Sequence, residues 1–113
     1  MNLYMTELAV SDFATSLSWY RDVLGLSVEM IDEPNRFALL SGTNGRIAIK
    51  QGIAIPGGVI VHFQVDNLSR IVEQPSLRSL TPIDEIKTSE EGYRRAKYHD
   101  PDGCTIVIFQ RDT

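Results

Sequence analysis

The chain has 113 residues, 42% of them hydrophobic and 23% charged, with a net charge of −4. That size predicts one compact domain with an ordinary core, and an acidic balance without a long basic run excludes nucleic acid as an expected partner. No apolar run nears the ~20 residues of a membrane span, MNLYMTELAV has no basic n-region of a secretory leader, and a lone cysteine, Cys104, excludes an internal disulfide and fits a reducing cytoplasm.

Residues 3–10, LYMTELAV, alternate as a strand does. Ser11-Asp12 offers an N-cap; Phe13, Leu17, Tyr20 and Leu24 then recur at helical spacing, and Gly25 stops the helix at a C′ position. LSVEMI, RFALLS and RIAIKQ predict three strands, separated by the turns Glu33-Pro34-Asn35 and Gly42-Thr43-Asn44-Gly45. Inside GIAIPGG, residues 54–57 form a linker between a first module, 1–53, and a second, 58–113. VIVHFQV (59–65) is rich in β-branched residues and predicts a strand. Asp66-Asn67 caps a second helix, begun by Leu68, Ile71 and Val72 and cut short or broken by Pro75. TPIDEIK, YRRAKYH and CTIVIFQ predict three more strands, joined by the turns Thr88-Ser89-Glu90-Glu91-Gly92 and Asp100-Pro101-Asp102-Gly103. The Glu90-Glu91 pair belongs in solvent.

The order β-α-β-β-β therefore occurs twice, an α+β pattern with signs of duplication. Val10-Ser11-Asp12 matches Val65-Asp66-Asn67, and the alternation of Gly-Arg-Ile-Ala-Ile-Lys matches that of Cys-Thr-Ile-Val-Ile-Phe, at a spacing of about 55 residues. Strand alternation sends Leu8, Val10, Val61, Phe63, Ile106, Ile108, Ala96 and Tyr98 toward the helices. The opposite, concave face then carries apolar Met5, Ala48, Ile60, Val107 and Phe109 with Glu7, Lys50, His62 and Lys97 among them. An apolar surface bearing a few polar groups is the composition of a small-ligand site.

The run Val-Ser-Asp-Phe-Ala-Thr-Ser-Leu-Ser-Trp-Tyr-Arg-Asp-Val-Leu-Gly-Leu (10–26), the two βαβββ halves and the Asp-Pro-Asp-Gly turn resemble the vicinal oxygen chelate superfamily over the whole chain. That superfamily includes glyoxalase I, extradiol dioxygenases, fosfomycin-resistance enzymes and bleomycin-resistance proteins. The resemblance implies its two-module fold, and a metal held by one ligand on the first and fourth strand of each half. Carried over residue by residue, those positions are Met5, Ala48, Ile60 and Val107, where the family pattern wants His, Gln or Glu. A shift of two residues gives Glu7, Lys50, His62 and Phe109, and a lysine ammonium there repels a cation. The expectation is no metal and no other cofactor, so metal-dependent glyoxalase or dioxygenase activity is not expected.

Glu7 and His62 occupy equivalent places in the two halves. They read either as an acid–base pair for proton transfer or as a residual ion pair or hydrogen bond filling a former site. Lys50, Lys97 and Arg95 read as receptors for an anion or as rim residues in water. His99, beside a turn, belongs in solvent; Tyr20 belongs in the core, Trp19 at a helix-side contact or an interface, and Cys104 reads as a small buried hydrophobe. Three functions stay open: a homodimeric protein that binds or sequesters a small organic molecule, as the resemblance to bleomycin-resistance proteins implies; a metal-independent lyase or isomerase using Glu7 and His62; and a non-catalytic regulatory module. Basic residues on the concave face point to a neutral or anionic ligand.

Overall fold

Polar side chains that cap helices and apolar ones that alternate along strands translate into two copies of one element order. In the computed structural model, which describes residues 1–90 and 92–111, the chain divides into two units, Met1–Ile55 and Pro56–Thr113, and the division falls inside GIAIPGG. Glu91 of the expected solvated pair lies outside the described residues.

The first unit runs β1 (Thr6–Val10), α1 (Phe13–Ser18), β2 (Ser27–Asp32), β3 (Phe37–Ser41) and β4 (Arg46–Gln51). Its sheet has the order β1-β4-β3-β2, with β1 parallel to β4 and the other pairs antiparallel. The Asp12 carboxylate accepts from the Thr15 N–H at 3.1 Å and caps α1. After Ser18 the helix widens into a π-helical segment, Trp19–Val23, which the spacing of Phe13, Leu17, Tyr20 and Leu24 does not reveal. Gly25, at φ 72°, ends it, and the Leu26 N–H returns to the Tyr20 carbonyl at 3.2 Å. Phe13, Leu17 and Tyr20 are buried on one side, and α1 packs on β4, whose Ile49 is fully buried beside Leu8 and Ala38 in the ladder.

The second unit runs β5 (Ile60–Gln64), α2 (Leu68–Val72), α3 (Pro75–Arg78), β6 (Lys87–Thr88), β7 (Tyr93–His99) and β8 (Thr105–Arg111), with sheet order β5-β8-β7-β6. β5 and β8 are parallel. Asn67 repeats the cap of Asp12, accepting from the Arg70 N–H at 3.1 Å. Pro75 breaks the helix as expected and opens α3 at its first position, where its missing N–H costs nothing. Leu68, Leu77, Ile106, Ala96 and Tyr98 form the buried side, with α2 on β7 and β8.

Two strand expectations are corrected. The first strand starts at Thr6, so Leu3, Tyr4 and Met5 precede it. TPIDEIK is not a strand except at Lys87; Ile83 N–H donates to the Lys97 carbonyl at 2.8 Å, but Asp84 turns its carboxylate to Lys87 and Arg95, and Pro82 has no N–H for a ladder.

Within each unit a glutamine latches helix to sheet. The Gln51 side-chain carbonyl accepts from the Phe13 N–H at 2.8 Å, and its amide donates to the Ser11 carbonyl. In the second unit the Gln110 side-chain carbonyl accepts from the Leu68 N–H at 2.8 Å. Each glutamine lies at or near the end of the fourth strand of its unit and satisfies an amide that the first helical turn leaves open.

Candidate binding site

In parallel pairs, side chains in register share a face, so the ladders define each sheet's open side. In the first sheet, Glu7 pairs with Ala48 and Ala9 with Lys50, while Leu39 and Phe37 follow on β3. Glu7 is exposed and Ala48 is fully buried. The Lys50 ammonium donates to the Asn35 carbonyl of the β2–β3 turn at 2.9 Å. Met5 is half-buried just ahead of β1.

The second sheet groups more of the expected residues. One row is His62, Val107 and Lys97; the next is Gln64, Phe109 and Arg95, continued by Lys87 on β6. His62 and Ile60 are exposed, Lys97 and Phe109 half-buried, and Val107 only 4% exposed. The Phe109 ring lies edge-to-face between His62, at 6.3 Å between centroids, and Tyr93, at 5.7 Å. Arg111 stands 5.1 Å over the Tyr93 ring and donates to its hydroxyl at 2.9 Å. Asp84 faces Lys87 at 3.4 Å and Arg95 at 3.5 Å.

Of the apolar residues expected on the concave face, Met5, Ala48, Ile60, Val107 and Phe109, Ile60 alone is well exposed, at 58%. His99 is exposed as expected, its Nδ1 3.1 Å from the Gly103 carbonyl. Trp19 meets Tyr20 edge-to-face at 5.1 Å, and Tyr20 is fully buried.

The Asp-Pro-Asp-Gly turn is held by Asp100. This buried carboxylate accepts from the amides of Asp102, at 3.0 Å, and Cys104, at 2.8 Å, and Gly103 takes φ 86°. The turn therefore sets where β8 starts and which of its side chains reach the open face. Burial pushes the Cys104 thiol up from its ordinary range, and the Asp100 and Asp102 carboxylates push it further.

A separate open cavity of 390 Å³ in the first unit is lined by Ser11, Asp12, Phe13, Ala14, Glu33, Arg36 and Gln51. Arg36 adopts φ 49° there. None of these residues was legible as a site in the sequence, because the Asp12 and Gln51 signals are those of a cap and a strand end.

The profile of the Glyoxalase/Bleomycin resistance protein/Dioxygenase superfamily matches residues 2–108. The chain belongs to this superfamily. Solved structures agree on the fold. A protein of unknown function from Agrobacterium tumefaciens is 21% identical, with 99% of this chain and 95% of that one covered at a TM-score of 0.79. A virulence protein from Salmonella typhimurium is 22% identical, with 99% and 98% covered at 0.77. A glyoxalase/bleomycin resistance protein from Catenulispora acidiphila is 25% identical, with 99% of each chain covered at 0.76. No curated protein matches the chain.

The metal centre that the superfamily resemblance implies does not fit the side chains present. Met5, Ala48, Ile60 and Val107 offer a thioether, a methyl and two branched alkyl groups, none of them a donor for a hard or borderline divalent ion. Ala48 and Val107 are also buried. Among the described residues no three His, Cys, Asp or Glu side chains group as ligands. No step through a metal follows from these side chains.

Proposed function

We propose that this superfamily member binds a small organic molecule, neutral or anionic, on the open face of its second sheet, without a metal, and holds rather than transforms it. The observation that carries this reading is the grouping of exposed His62 and half-buried Phe109, Tyr93 and Lys97 on one face, beside family metal positions that are alkyl in this chain. A thermal-shift screen of metabolites and antibiotics, run with and without divalent metals, tests it. A hit should be independent of metal and should weaken with His62→Ala, by roughly 0.5–3 kcal/mol for a lost hydrogen bond. His99→Ala, on a residue held by its own turn, should leave the hit unchanged. A hit that requires metal, or that responds to His99→Ala and not to His62→Ala, overturns the reading.

Acid–base chemistry by Glu7 or His62 is a second reading. Glu7 opposite Ala48 and His62 opposite Val107 are equivalent register pairs, and both side chains are exposed. It requires turnover that is lost in Glu7→Gln or His62→Ala. The assembly we propose is a homodimer, since Ile60 at 58%, Ile53 at 87% and Ile55 at 70% exposure leave much apolar surface in water. Light scattering should give twice the 12.7 kDa chain mass; a monomer at micromolar concentration rejects it. A single buried thiol suits a reducing cytoplasm.

A further inference from the structure

We infer that the ligand of the second sheet is a planar aromatic acid, a ring system carrying one carboxylate or comparable anion. This rests on the binding reading above and narrows it to a chemical class. Two features of one sheet face carry it: a row of rings and an ammonium without a counter-charge among the described residues.

The rings run diagonally across three strands, from His62 on β5 through Phe109 on β8 to Tyr93 on β7. Each contact is edge-to-face, with interplanar angles of 71° and 68°. Arg111 closes the Tyr93 end by lying over that ring and bonding its hydroxyl. The exposed end of the row is His62, next to the half-buried edge of Phe109. A further ring can join there in the same edge-to-face or offset geometry that the row already uses. A flexible aliphatic ligand gains nothing from that arrangement.

The charges on the same face are Lys87, Arg95, Lys97 and Arg111 against Asp84, and Arg111 is engaged by the Tyr93 ring and hydroxyl. Asp84 is shared by Lys87 and Arg95. Lys97 has no anionic partner among the described residues, although it is half-buried in a chain of net charge −4. It stands across Val107 from His62, two strand spacings away, about 10 Å between backbones. A ring seated against His62 and Phe109 therefore places a short anionic substituent within reach of the Lys97 ammonium. The bond formed is charge-assisted, the stronger kind of hydrogen bond. A cationic ligand is repelled, and a neutral one leaves Lys97 as it was.

Isothermal titration at low ionic strength tests this with three probes: 2-naphthoate, the neutral 2-naphthalenemethanol and acetate. We expect naphthoate to bind about tenfold or more tighter than the alcohol, and acetate not to bind. Lys97→Met should remove that preference, and Lys97→Arg should retain it. Phe109→Leu, which keeps an apolar side chain there but removes the ring, should weaken both aromatic probes. Equal affinity for acid and alcohol, no naphthoate binding at millimolar concentration, or a preference that survives Lys97→Met overturns the inference. If the alcohol or a screened neutral compound still binds in a manner sensitive to His62→Ala and Phe109→Leu, the binding reading stands without it. If no compound depends on those two residues, both fall.

Discussion

The two halves of this chain use the same framework and carry different surfaces. Each caps its helix with an Asx side chain, Asp12 or Asn67, and each ties the next residue's amide to a glutamine, Gln51 or Gln110, near the end of its fourth strand. The parallel register is also the same: Leu8 lies opposite Ile49 as Phe63 lies opposite Ile108. On the open faces the equivalent positions part company. Glu7 corresponds to His62, Ala48 to Val107, and Lys50 to Phe109. The lysine is tied to a backbone carbonyl of its own half, whereas the phenylalanine joins a row of rings. Groups that cap and latch the helices are thus the same in both halves, and groups that face outward are not. The fold needs the former; whatever distinguishes this protein chemically resides in the latter.

The comparison breaks most readily in the core. Ile49 and Ile108 are equivalent, both on the helix side and both buried. Truncating either to alanine should cost about 2–5 kcal/mol, the lost burial and the cavity left behind together. Urea unfolding of the two variants should give similar losses. If Ile49→Ala is severe and Ile108→Ala mild, the second sheet tolerates collapse that the first does not, and the halves are unequal in packing as well as in surface.

Breaking the latch should come next in size. Gln51→Leu and Gln110→Leu keep a side chain of similar bulk but leave a part-buried helix amide without an acceptor, at about 1–3 kcal/mol each. Chemical denaturation should show the two losses to be alike, and amide exchange at Phe13 or Leu68 should rise in the matching variant alone. Exchange that rises in neither places the acceptor elsewhere. The caps come below this: Asp12→Ala and Asn67→Ala should each cost about 1 kcal/mol. A smaller loss at Asn67 would mark the broken second helix as the less dependent on its cap.

Framework and face membership were legible in the sequence because both follow from short-range rules. Alternation placed His62 opposite Phe63, and Ser11-Asp12 and Asp66-Asn67 marked both helix starts. What was illegible depends on distance. Gln51 and Gln110 reach amides 38 and 42 residues away, and no local pattern pairs them. Asp100 reads as an ordinary turn residue until its carboxylate is seen beneath two amides. The π-helical segment shares the apolar spacing of an α-helix. TPIDEIK has the β-branched look of a strand, but Asp84 meets two cations there instead of continuing a ladder. Exposure was the least legible property of the site: alternation assigns Ala48 and Val107 to the open faces, yet burial depends on everything around them.

The smallest expected effect sharpens the comparison from the side of pH. The second half holds two groups that burial pushes up from their ordinary ranges, the Tyr98 phenol and the Cys104 thiol, the latter pushed further by Asp100 and Asp102. A raised pKa means that the folded state retains the proton longer than the unfolded one. The associated stability is whole below the unfolded thiol's pKa, about 8.5, and is lost as pH rises beyond it toward the folded value. The melting temperature should therefore be level from about pH 7 to 8 with respect to these groups and fall above that. Cys104→Ala removes the earlier part of the fall and leaves the tyrosine's, which begins nearer pH ~10. Scanning calorimetry of wild type and variant across this range separates the two. Curves of identical shape would show that the thiol does not sense its burial, and that its two carboxylate neighbours serve only to hold the turn.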